Sequence, residues 1–203
     1  MTRPLLLAGV VGLVVGALVV GALWLASGST NTAVGTQSIT LPKSIGEFVP
    51  FGEVDLNKTS RGTDNVARVE SWDEQSTLRL SKSAGGAAAA VKAYADKKLL
   101  NQISVWVYRA SASPNPQFVP YQDANSLGLV HPPEEMAQFS SVSCVLHNDP
   151  TSVGVTPSPN SVHTVNCVRS GPQLTVEIRP TGDIGNEPQR VAQLVDEVWN
   201  SVS

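Results

Sequence analysis

Charge is scarce in this chain and missing from its start. Of 203 residues, 15% are Asp, Glu, Lys or Arg, against about 25% in an ordinary soluble domain. No charged residue lies between Arg3 and Lys43. Basic residues are few and scattered, 14 against 17 acidic. A phosphate backbone needs clustered positive charge, so nucleic-acid binding is excluded, and anionic lipid headgroups are poorly matched for the same reason. The motifs G-x-S-x-G, H-E-x-x-H, G-x-x-x-x-G-K and S-x-x-K are absent. There are two cysteines and three histidines. No cysteine stands directly after the N-terminal apolar run, which excludes a lipid-modified N-terminal cysteine. The lack of C-x-x-C argues against thiol exchange. The lack of a twin arginine argues against export in a folded state.

What the start does contain is an apolar run, LLLAGVVGLVVGALVVGALWLA, from Leu5 to Ala26. At about 1.5 Å per residue this length matches a hydrocarbon core of about 30 Å. Arg3 lies on one side and no positive charge on the other, which predicts a cytoplasmic N-terminus and everything after Ala26 outside. The expected organisation is a cytoplasmic stub at 1–4, a transmembrane helix at 5–26, a polar tether at 27–40 and an extracytoplasmic domain at 41–203. The alternative is a secretory signal cleaved near Gly28, since Ala26-Ser27-Gly28 is a small-residue site. Ala8, Gly12 and Gly16 recur every four residues. They form either a face for pairing anchors into a homodimer or the ordinary small-residue content of a membrane helix.

Cys144 and Cys167 sit in C-x2-H and H-x3-C contexts, which poses zinc against a disulfide. SVSCVLH and HTVNCVR both alternate as strands. Pairing them through the two cysteines sets Leu146 beside Val165. Cys144 and His147, three apart in a strand, point to opposite faces. His163 and Cys167 are about 13 Å apart along theirs, too far for donors that must lie within about 2.3 Å of one zinc. A disulfide is the expectation, in keeping with an oxidising exterior.

The rest predicts an α+β domain, a mainly antiparallel sheet with helices on one side, in the order ββαβ, a long loop, then βββα. NVARVESWDEQSTLRLS reads as a hairpin with arms Val66–Trp72 and Ser76–Ser81, and Asp73-Glu74 as a solvated turn. SAGGAAAAVKAYADKK reads as a helix. QISVWVYRA has strong strand composition. PPEEMAQF reads as a short helix. In QLTVEIRP, Leu174, Val176 and Ile178 alternate. The last helix takes Asn186 as N-cap with Gln189 three later, and buries Val191, Leu194, Val195, Val198, Trp199 and Val202. FVPF at 48–51 and FVPY at 118–121 hint at a duplication.

Candidate chemistry is thin. The 111–140 excursion carries Phe118, Tyr121, Leu127, Leu129 and Val130, which either pack across the sheet or line a groove for a ligand or partner. His131, Asp123 and Ser126 are the residues a cryptic hydrolase would use. His131 with Glu134 and Glu135, and the Thr181–Asn186 loop, lack the geometry or carboxylate count of a metal site. No cofactor or metal is implied. His147 reads as part of a turn, His163 as a half-exposed strand residue, and Trp72, Trp106, Trp199, Tyr94 and Tyr108 as core. Asn57-Lys58-Thr59 fits a glycan acceptor pattern.

The anchor of Gly, Ala, Val and Leu, the polar tether and a one-cystine domain ending in LVDEVW together resemble uncharacterised single-pass, exported proteins of actinobacteria. The resemblance implies location and layout, and no site residue. The expected role is a non-enzymatic, membrane-tethered binding or accessory domain facing an envelope component or membrane protein. The alternative is a small-ligand carrier or sensor with an apolar pocket under loop 111–140.

Overall fold

The computed structural model describes residues 35–58, 60–111 and 119–203. The apolar run with Ala8, Gly12 and Gly16, and Phe118 of the long loop, lie outside the described residues. Among the described residues no helix is long and apolar enough to cross a membrane.

Among the described residues seven strands form one antiparallel sheet: β1 (Val49–Pro50), β2 (Ala89–Ala95), β3 (Gln102–Tyr108), β4 (Glu134–Phe139), β5 (Val142–Asn148), β6 (Val162–Ser170) and β7 (Thr175–Thr181). Their spatial order is β1-β2-β3-β7-β6-β5-β4. Helix α1 (Ser60–Ser83) precedes β2, and helix α2 (Pro188–Val202) ends the chain. The α+β class and the antiparallel sheet are as expected. The element order is not, because three segments read the other way.

The segment read as a hairpin is α1. Its partly buried positions, Val66, Val69, Asp73, Ser76, Thr77, Leu80 and Ser81, recur at helical spacing. Leu78, expected inside, is 70% exposed. Gly85 and Gly86 take positive φ and end the helix, with the Gly86 N–H on the Ser81 carbonyl and the Gly85 N–H on that of Lys82. That is a Schellman cap, which needs a residue without a Cβ in the left-handed region. The glycines therefore stop one helix instead of opening the next.

The alanine-rich stretch after them is β2, paired with β3 along its whole length. Pairing with β3, and α1 side-chain bonds on the other edge, override the helical preference of alanine. PPEEMAQF, read as a helix, is β4. The two-residue Ser140-Ser141 turn, with Ser140 at φ 55, folds it onto β5 from Phe139↔Val142 to Glu134↔His147.

The core lies between the sheet and α2. Ile103, Val105, Val107, Val176, Ile178, Cys144 and Cys167 meet Val191, Leu194, Val195 and Val198. Complete burial of such a side chain stabilises by about 1.5–3 kcal/mol. The periodic reading of α2 holds, but not its cap. Asp183–Asn186 is a 3-10 turn, Pro188 takes the first helical position, and Glu187 is the N-cap with no side-chain bond. Arg109 donates to the Val202 carbonyl at 2.9 Å, setting a cation at the helix C-terminus.

The two helices do not share a side of the sheet. Helix α2 packs on β5, β6 and β7, whereas α1 runs along the free edge of β2. There its side chains act as a substitute strand. Ser81 donates to the Ala87 carbonyl at 2.7 Å, Thr77 accepts from the Val91 N–H at 2.8 Å, and Asp73 accepts from the Ala93 N–H at 3.0 Å. From Asp73 to Thr77 the helix advances about 6.0 Å and from Ala93 to Val91 the strand advances about 6.6 Å, so these two bonds keep step, and Ser81 holds the chain just before β2.

The domain also begins before residue 41. Gly35 exchanges hydrogen bonds with Arg109 and Ala88, and Ile39 and Leu41 pack on the core.

Candidate functional site

Cys144 and Cys167 stand directly opposite each other on β5 and β6 and form a disulfide. The expected pairing of Leu146 with Val165 is displaced. A bulge puts Leu146 opposite Thr164 and turns Val165 outward, 50% exposed. One extra residue in one strand shifts every later pairing.

Helix α2 covers one face of the sheet. The opposite face carries a fixed chain of side chains. Trp106 on β3 donates through Nε1 to Ser104 Oγ at 2.8 Å. The Arg179 guanidinium lies over the Trp106 ring, 4.0 Å from its centroid. Arg179 Nε donates to Glu177 Oε1 at 2.7 Å, and the same oxygen accepts from Asn166 Nδ2 at 2.9 Å. Strand register places these groups together: Trp106 is opposite Glu177, and Ser104 opposite Arg179. Tyr108, opposite Thr175 on the same face, has its phenol pushed above its ordinary pKa by burial. Helix α1 borders this face and makes a trough of about 340 Å³ with Ser76, Arg79, Leu80, Ser83, Val91 and Trp106.

Chemically this is a platform of aromatic rings, Trp106 and Tyr108, and oriented polar groups. Arg179 is held through Nε, while its terminal nitrogens bond no other described residue and present a guanidinium fork. Such a fork matches a carboxylate, phosphate or carbonyl acceptor. Trp106, expected in the core, lies on this face instead, and Arg179 and Glu177 join it only through β3–β7 pairing, which no local pattern encodes. The i, i+2 alternation of Ser104, Trp106 and Tyr108 was the available signal.

The other candidates are dispersed. Tyr121 is 90% exposed, and Leu127 and Val130 are also on the surface. Leu129 bridges to Ser152, which joins this loop to the 151–155 loop. Ser126 Oγ donates to Asp123, a local turn bond that holds the Asp123 carboxyl below its ordinary pKa. His131 lies near Glu135, at 3.9 Å, and makes no hydrogen bond to Ser126. His147 is in β5 and not in a turn, directly opposite His163, whose Nε2 is 3.3 Å from Asp149. Among the described residues no group of three or more His, Cys, Asp or Glu could hold a metal.

Trp72 is exposed, not core. Trp199 is partly buried, with Arg169 4.4 Å above its ring. Asn57 is buried and donates to the Phe51 carbonyl, so its amide is not presented as a glycan acceptor would be. Val49–Pro50 of FVPF forms β1, whereas Val119–Tyr121 of FVPY is not in a strand.

The chain matches no family model, no curated protein and no solved structure.

Proposed function

We propose that this protein is a membrane-tethered, extracytoplasmic binding or accessory domain without catalytic chemistry of its own. Its partner is an envelope component or another membrane protein. The observation that carries the reading is the sheet face opposite α2, where Trp106, Arg179, Glu177 and Asn166 are locked in place while the Arg179 guanidinium stays half-exposed. Rigid aromatic and Arg groups are the residues that anchor interfaces. The apolar run at 5–26 and the Cys144–Cys167 disulfide support the location, because a cystine suits an oxidising compartment.

The test is photo-crosslinking in cells with a crosslinkable residue at Val165, beside the platform, and a control at Leu78 on α1. The expected result is a discrete adduct from position 165, none from 78, and loss of the adduct with Arg179→Lys or Trp106→Ala. Equal labelling from both positions removes the platform as the binding face. A C-terminal reporter found in the cytosol removes the extracytoplasmic reading.

A further inference from the structure

The sheet has two edges, and the molecule treats them differently. On one side, β1 is two residues long and ends in Pro50, and the remainder of β2 is covered by Asp73, Thr77 and Ser81 of α1. Short edge strands, proline and covering elements are devices that prevent strand addition. On the other side is β4, six residues without proline or lysine.

The hydrogen-bond phase of β4 follows from its two ends. A two-residue hairpin loop makes Phe139↔Val142 a hydrogen-bonded pair. At the far end the Asn148 N–H donates to the Pro133 carbonyl at 2.8 Å. Alternation between these ends directs the main-chain groups of Glu135, Ala137 and Phe139 to β5, and those of Glu134, Met136 and Gln138 away from the sheet. Among the described residues, no side chain or loop bonds the main chain of Glu134, Met136 or Gln138.

We infer that β4 is a strand-addition surface and that its occupant is a second copy of this chain, paired antiparallel about a two-fold axis through Met136. Only one register uses all the outward groups on both strands. It sets Met136 against the partner's Met136 and Glu134 against the partner's Gln138. This makes roughly six main-chain hydrogen bonds. The side chains agree with it. No Glu faces a Glu, a carboxylate lies opposite an amide, and Met136, 48% exposed, packs on itself. The two sheets become one of fourteen strands. This pairing is independent of the platform and of the anchor.

Cysteine scanning of the full-length chain in detergent micelles tests it. Met136→Cys is expected to give a disulfide-linked dimer on mild oxidation, since hydrogen-bonded antiparallel Cα atoms lie about 5.5 Å apart. Glu134→Cys and Gln138→Cys are each expected to stay unlinked alone and to link when mixed. Met136→Pro removes an outward N–H that β5 does not use, so the far-UV spectrum and the native disulfide persist while the mass by light scattering falls by half. Failure of Met136→Cys to link, linking of Glu134→Cys with itself, or a dimer that persists in Met136→Pro overturns the inference. The last outcome assigns the dimer to the Gly12 and Gly16 face of the N-terminal segment.

Discussion

The carboxylate of Asp73 on α1 accepts the main-chain N–H of Ala93 on β2 at 3.0 Å, across twenty residues of chain. Burial raises the Asp73 pKa, and the Ala93 hydrogen bond offsets this only in part. The folded state therefore binds the proton more tightly than the unfolded chain. The stabilising contribution is full below the ordinary value of 3.8 and is lost as pH rises through the raised value.

Asp73→Asn keeps an oxygen acceptor for Ala93 and removes the buried charge. It is expected to match or exceed the natural protein in stability at pH 7, with the difference vanishing near pH 4. Asp73→Ala leaves the Ala93 N–H unpaired and costs about 1 kcal/mol. Urea midpoints measured from pH 4 to 8 check both.

Asp96 has the opposite sign. Slight burial pushes its pKa up, but hydrogen bonds from the Asn101 side chain and from the N–H groups of Leu100, Lys98 and Asn101 bring it below the ordinary value. They hold the 96–101 turn, in which Leu99 sits at φ 57. Their contribution is present above pH 3.8 and is lost as pH falls through the depressed value. Asp96→Ala is expected to cost about 1–2 kcal/mol at pH 7, and the deficit should shrink in acid denaturation curves below pH 4.

The Cys144–Cys167 bridge spans 23 residues of sequence. Replacing both cysteines by alanine is expected to cost about 3 kcal/mol, or roughly 6–12 °C in Tm by calorimetry.

The two helices differ in what their truncation costs. Leu194→Ala in α2 opens a cavity in the core and is expected to cost about 2–5 kcal/mol. Leu78→Ala on α1, at an exposed site, is expected to change stability by less than about 0.5 kcal/mol. Equal effects in a denaturant series mean that α1 contributes to the core.

Elements with one apolar and one polar face were legible in the sequence. Strands β3, β5 and β7 and helix α2 bury Val105, Cys144, Ile178 and Leu194 at the period of their own backbone, so pattern and structure coincide. The cysteine pair was legible too, because alternation on both strands set the two sulfurs on one face. Helix α1 was not, because its inward stripe is the polar set Asp73, Thr77 and Ser81, which bonds a strand edge and buries little apolar surface. Strand β2 was hidden by alanines, whose local preference yields to pairing with β3 and to the α1 side chains on its other edge. Strand β4 was hidden by acids and prolines that fit a helix start equally well.

By itself the sequence determined the apolar start, the disulfide, the class of fold and the core face of the last helix, since each depends on residues close together or on a repeating period. The platform around Trp106, the covered edge of β2 and the open edge of β4 were decided only by tertiary structure. Each depends on register between strands far apart in the chain, and no local pattern encodes which strand will lie beside which.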